Sequence, residues 1–375
     1  MLKRHPQFPL EENILYFNHA AVSPWPLCSA HAIMEFTRQN LHTGSKYYLK
    51  WMETEQELRE MLCTLIHAGS SDDIALLKNT SEGLSVIAYG LDWQPGDNVV
   101  IPKNEFPSNR FVWQSLEKAG VETREIDIQS AEDAEQALIN ALDSRTRVLS
   151  VSAVQYTNGF RLDLEKLGNC CEKLDTLFVV DAIQQIGALE FDVSGIKADF
   201  AVADGHKWMM GPEGLALFYS RPASRNLLSL NQYGWRMVEN PTDFQQTGWT
   251  VSHTAKRFEC GSPNMLAIAA LNASIKLITE TGMRTIHETI LDNTRNIIDF
   301  ISNNNNYRLL SSSEANRLSG IVTFTHKSID NADLFRSLTD DGLQCAERGN
   351  GIRLSPHFYN QKWEFGCLFD LLVSL

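Results

Sequence analysis

Lys207 closes the string Asp204-Gly205-His206-Lys207, and Asp181 closes an earlier apolar run, Leu177-Phe178-Val179-Val180. Gln184 stands three residues beyond Asp181. A carboxylate at the end of one buried strand and an amine at the end of the next suit one cofactor, pyridoxal 5′-phosphate (PLP). The amine can condense with the aldehyde. The carboxylate can keep the pyridine nitrogen protonated, so that the ring accepts electrons. Singly, these residues read as a surface lysine, a capping aspartate and, at 206, a core histidine. Together, at this spacing, they read as chemistry.

Positioning them takes a sheet. Short apolar runs at 74–77, 99–101, 147–154, 176–180, 199–202 and 214–219 predict strands, with helices following Thr80 and Asp163. Strands alternating with helices predict a mainly parallel α/β sheet. Ligands collect at the carboxyl ends of such strands, where Thr80, Phe106, Asn158, Asp181 and Lys207 fall. After about Cys260 the pattern changes to long helices at 264–280 and 285–303, a strand at 320–324, a helix from Ala332, and a strand pair around Gln344 and Ile352. This predicts a large domain over 31–256 and a smaller α+β domain over 257–375, with 1–30 packing near the latter.

The bulk figures fit this division. A chain of 375 residues exceeds what one core usually serves. A formal net charge of −13 argues against nucleic acid or an anionic membrane as partner. The seven cysteines are odd in number and form no CxxC, which predicts reduced thiols in a cytoplasmic protein and no metal site. The amino-terminal residues lack a signal peptide's apolar core, and no apolar run is long enough to span a bilayer.

The Asp-x-x-Gln element, Gly-His-Lys and Gly-Pro-x-Gly between Asp181 and Gly214 resemble the class V aminotransferase family of fold-type I PLP enzymes. The likeness runs from Tyr16 to Asn360, and its flavour is the isopenicillin N epimerase-like and cysteine desulfurase-like branch. It implies a seven-stranded sheet sandwiched by helices and a homodimer with shared active sites. Lys207 would carry the cofactor, Asp181 pair with the pyridinium, Gln184 bond the phenolic oxygen, and His206 bond the phosphate. Thr80 and Ser81, in Thr80-Ser81-Glu82-Gly83, would form a phosphate cup at a helix start, where free amides favour an anion; a plain N-cap is the simpler reading. Phe106, in Asn104-Glu105-Phe106-Pro107, would stack on the ring. Ser262, in Arg257-Phe258-Glu259-Cys260-Gly261-Ser262-Pro263-Asn264, would reach the neighbouring subunit's phosphate. Arg353, in Gly351-Ile352-Arg353-Leu354-Ser355-Pro356-His357, would clamp the substrate α-carboxylate, with a structural salt bridge as the alternative. Asn18 and His19, in Tyr16-Phe17-Asn18-His19, and Asn158 would lie on the substrate side, although Asn158 also reads as a turn former.

Two departures matter. Cysteine desulfurases carry a reactive cysteine on a mobile loop before the arginine motif; here that stretch is the short Cys345-Ala346-Glu347-Arg348-Gly349-Asn350-Gly351. They also commonly have serine where Asp204 stands. The expected function is a PLP enzyme acting on a small amino acid, an aminotransferase first, with β-lyase, desulfurase-type or epimerase chemistry as alternatives. A non-catalytic binding module that kept the fold is the reading from another class.

Overall fold

The computed structural model describes residues 3–245 and 247–375. Thirteen strands run in chain order: β1 Leu15–Tyr16, β2 Ile74–Leu77, β3 Asn98–Pro102, β4 Glu122–Ile126, β5 Thr146–Ser152, β6 Leu177–Asp181, β7 Phe200–Asp204, β8 Ala216–Ser220, β9 Tyr307–Leu309, β10 Val322–His326, β11 Leu343–Gln344, β12 Ala346–Arg348 and β13 Gly351–Leu354. Seven form the large sheet in the order β2-β8-β7-β6-β5-β3-β4. All pairings are parallel except those of β8, which runs against both neighbours. This is the helix-covered, mainly parallel sheet that the sequence predicts.

Alternation along the strands explains the two-sided burial. Leu76, Val100, Leu149, Val151, Phe178, Val180, Ala201 and Leu217 fill the core on one face. Their neighbours Ala75, Leu77, Val99, Ile101, Val148, Val179, Phe200, Val202 and Phe218 fill the other. A period of two with both sets apolar requires a cover on each side. Each fully buried leucine or phenylalanine is worth about 2 kcal/mol. Polar residues appear where pairing ends: Ser152 registers with Asp181, Asp181 with Val202, and Asp204 with Ala216.

A second, antiparallel sheet has the order β12-β13-β10-β9, and β1 pairs in parallel with β11. The Met283–Asn303 helix packs on β9 and β10. The Met265–Thr281 helix packs instead against the Leu27–Thr43 and Tyr48–Leu65 helices beside the large sheet. Side chains from the second sheet and the segment joining β9 to β10 hold the loop after β5. Thr323 Oγ1 donates to the Thr157 carbonyl at 2.7 Å, Ser319 Oγ to that of Gly159 at 2.7 Å, and Ser311 Oγ to that of Asn158 at 2.6 Å. No helix among the described residues is long and apolar enough to cross a membrane.

Candidate active site

Asp181, the last residue of β6, is 2 % exposed and accepts one hydrogen bond, from the Ile183 amide at 3.1 Å. Burial raises its pKa, and the nearby carboxylate of Glu105 adds to the rise. Lys207 lies in the turn after β7 and is 8 % exposed. Burial lowers its pKa to about 8, opposed by the attraction of Asp181. The two groups therefore feel each other's charge across the strand ends. Phe106 roofs this space: its ring centroid is 5.5 Å from Lys207 Nζ, and its edge meets Tyr156 at 5.2 Å in a T-shaped contact. The ring is 41 % exposed, so Phe106 belongs to the mouth of the site, not to the core.

The phosphate side is built on the Thr80–Gly90 helix. Asn79 caps it, its side chain accepting from the Glu82 amide at 2.8 Å. Thr80 and Ser81 thus occupy the first turn, whose amides have no intrahelical acceptor. Gly83 lets this helix lie directly on the sheet, since a Cβ there would stand 2.4 Å from Val202 Cγ1. The helix start is thereby brought toward the Asp204 end of β7. Thr80 Oγ1 is buried without a partner among the described residues. Ser81 Oγ meets Ser108 Oγ at 2.7 Å. His206 Nδ1 lies 2.9 Å from Asp204 Oδ1, yet neither atom gains an aligned hydrogen bond.

On the opposite side, Arg353 of β13 is 3 % exposed. Its Nη1 donates to the Tyr156 carbonyl at 2.8 Å, and its Nε has no partner. No acidic side chain pairs with it among the described residues, so the salt-bridge alternative falls away. Burial pushes the guanidinium down to about 10, with repulsion from Arg348 second. A buried cation without a counter-ion is costly unless an anion arrives. Asn18, bridged to Ser355, leaves its buried Oδ1 unpartnered.

Three further expected residues are His19, Asn158 and Ser262. His19 is fully buried, with Nδ1 2.7 Å from the Ser355 carbonyl and Nε2 2.5 Å from the Tyr359 hydroxyl. Both ring nitrogens are thus engaged by the protein. Asn158 makes a local turn, its Oδ1 accepting from the Phe160 amide at 3.1 Å. Ser262 lines a cavity of about 560 Å³ with Lys78, Asn79, Glu82 and Gly214; among the described residues neither Lys207 nor Asp181 lines it.

Glu105 and Gln155 were not singled out by the sequence reasoning. Glu105 is 2 % exposed and accepts from the Ser152 amide at 2.6 Å, from Ser152 Oγ, and from Gln155 Nε2 at 3.1 Å. It ties the ends of β3 and β5 together beneath Phe106. An acid immediately before an aromatic at a strand end was the available signal.

A donor set of this kind fits PLP. The unpartnered Thr80 hydroxyl and first-turn amides suit a phosphate, Asp181 a ring nitrogen, Lys207 an aldehyde, and the orphaned Arg353 a carboxylate. A family model, aminotransferase class V, matches residues 15–364. The chain belongs to the class V aminotransferase family. Among curated relatives, a probable cysteine desulfurase of Methanothermobacter thermautotrophicus is 29 % identical, covering 98 % of this chain and 96 % of its own. An uncharacterized aminotransferase of Schizosaccharomyces pombe is 26 % identical, covering 99 % and 94 %. In solved structures the fold recurs in the cystine C–S lyase C-DES complexed with its product cysteine persulfide, with a TM-score of 0.91 and 22 % identity over 98 % of this chain and 100 % of that one. It recurs also in an apo cysteine desulfurase from Thermococcus onnurineus NA1, with a TM-score of 0.87 and 23 % identity over 100 % and 98 %.

Proposed function

We propose that this chain is a PLP-dependent lyase that expels a sulfur substituent from the β-carbon of a small amino acid. When bound, PLP supplies the electron sink for the α-carbon. Lys207 holds it covalently, Asp181 keeps the ring nitrogen protonated, and the Thr80 hydroxyl, the first-turn amides and His206 hold the phosphate. Ser81 completes the cup from the rim, Gln184 bonds the phenolic oxygen, and Phe106 covers the ring and excludes water. Arg353 holds the substrate α-carboxylate in a bidentate pair, with Asn18 and the Asn158 turn at its side. The Lys207 amine, about half neutral near pH 8, would take the α-proton of the bound substrate. The C–S bond then breaks with its electron pair leaving on sulfur, which takes up a proton. The remaining enamine hydrolyses to pyruvate and ammonia.

The observation that carries this reading is the buried Arg353 of β13, which has no acidic partner among the described residues and donates to the carbonyl of Tyr156, whose ring meets Phe106. Relatives named for cysteine desulfuration favour sulfur chemistry over the aminotransferase reading that the sequence put first. Cys345 argues against an enzyme-bound persulfide. It is 5 % exposed between β11 and β12, with its thiol pushed up to about 12 by burial. A sulfur acceptor needs an accessible thiolate.

With cystine or cysteine as substrate, pyruvate and ammonia should form in equal amounts, and Cys345→Ser should leave the rate unchanged. Alanine as product, with a rate lost in Cys345→Ser, would establish desulfuration instead. Accumulation of the amine form of the cofactor would establish transamination. The active unit in this proposal is a homodimer, in which Ser262 reaches the partner's phosphate; exposed Tyr89, Phe111, Tyr233, Phe244 and Trp249 favour such an interface. Light scattering reporting a monomer at working concentration would remove that part.

A further inference from the structure

Trp208 follows Lys207 and is fully buried, and nothing above gives it a role. Its indole Nε1–H donates to Gln184 Oε1 at 2.9 Å, and Gln184 Nε2 donates to the Ala20 carbonyl at 3.0 Å. An indole N–H can only donate and a carbonyl can only accept. Rotating the Gln184 amide by half a turn would set donor against donor and acceptor against acceptor. The amide is therefore locked in one sense, with one N–H hydrogen unspent.

The indole itself has no freedom to release it. Its tip lies over Gly320, where a Cβ would stand 2.3 Å from Cη2, and its carbonyl lies against Gly187, where a Cβ would stand 2.5 Å from the oxygen. His357 Nε2 meets the same carbonyl at 3.1 Å. Two glycines and a buried histidine thus make a fitted seat for this tryptophan.

We propose that Trp208 is a positioning residue that fixes Gln184 as a hydrogen-bond donor toward the phenolic oxygen of the cofactor ring. The inference rests on the PLP reading above. A donor on that oxygen withdraws negative charge that would otherwise hold a proton on the Lys207 nitrogen. The locked amide therefore lowers the pH at which the cofactor's visible band titrates.

The test is a spectral titration of reconstituted holoenzyme, which reads the cofactor and not turnover. Gln184→Ala should raise the midpoint of the visible band by about one pH unit, which corresponds to roughly a tenfold change in proton affinity. Trp208→Phe, which keeps the bulk and removes the N–H, should raise it in the same direction. In the double variant the shift should equal that of Gln184→Ala alone, because Trp208 acts only through the amide. Gln184→Glu, which accepts from the indole but offers no N–H and adds a negative charge, should raise it at least as far as Gln184→Ala and serves if Trp208→Phe does not fold. Additive shifts in the double variant, or a wild-type midpoint in Trp208→Phe or Gln184→Glu, would overturn the proposal. A wild-type holoenzyme without a visible band would overturn the PLP reading itself, and the inference with it.

Discussion

At the scale of the residue, environment separates Lys207 and Arg353 from the other basic side chains. Both are buried, and burial drives both toward their neutral forms. For Lys207 the sign is simple: the neutral amine is the nucleophile, and a lowered pKa makes it available nearer neutrality. The rate at which apo-protein captures PLP should therefore climb with pH through a midpoint of about 8 and level off above it, as stopped-flow absorbance would read it. A rate still climbing at about pH 10 would indicate an ordinary lysine. Arg353→Lys keeps the charge and loses the planar fork, so KM should rise about tenfold or more with a smaller change in kcat. Equal falls in kcat and kcat/KM would place Arg353 in the chemical step instead. The Asp181 and Lys207 strings stand out because each sets a charged type at or just past the end of an apolar run, whereas Arg353, flanked by Ile352 and Leu354, stands out only through the resemblance of its motif. His19 is ambiguous in the sequence because a polar string reads the same whether it lines a pocket or seals a seam. Glu105 was missed because its ligands, Ser152 and Gln155, lie on a strand distant in sequence.

At the scale of the element, the Thr80–Gly90 helix must lie close enough to the sheet to aim its amino terminus at the site. Gly83 is the contact that permits it, facing Val202 Cγ1 and Phe218 Cδ2. Gly83→Ala should lift the helix, cost about 1–3 kcal/mol of stability, and weaken PLP affinity measured by fluorescence titration. Val202→Ala in the same chain should restore much of both; no restoration would mean the helix is held elsewhere. The buried strands were readable as apolar runs, but β4 was not. Its sequence Glu122-Thr123-Arg124-Glu125-Ile126 is that of a sheet edge, where polar side chains face water. The Leu27–Thr43 helix was also unread. It presents Met34 and Leu41 to solvent at 57 % and 75 % exposure, so its apolar positions draw no clean helical stripe.

At the scale of the whole molecule, the two ends of the chain close behind the site. β1 pairs with β11, Asn18 with Ser355, and His19 joins the Ser355 carbonyl to the Tyr359 hydroxyl. Phe8 stacks on Tyr359 at 3.5 Å, so the amino-terminal segment seals the same seam. His19→Ala would leave buried polar groups unpaired and open a cavity. It should lower unfolding free energy by about 3 kcal/mol in denaturant melts, while KM of the folded fraction stays near that of the wild type. A large KM change at unaltered stability would return His19 to the substrate side. Pairing between residues more than three hundred positions apart has no local signature, which is why the residue partners in this seam came only from the structure, although packing of 1–30 near the smaller domain was expected.

The central claim is that Lys207 carries the cofactor. Holoenzyme should be reduced with borohydride, digested and mapped by mass spectrometry. A reduced pyridoxyl phosphate adduct on Lys207, with loss of the visible band, is the predicted result. An adduct on another lysine, or none in a protein that still turns over substrate, would contradict the account.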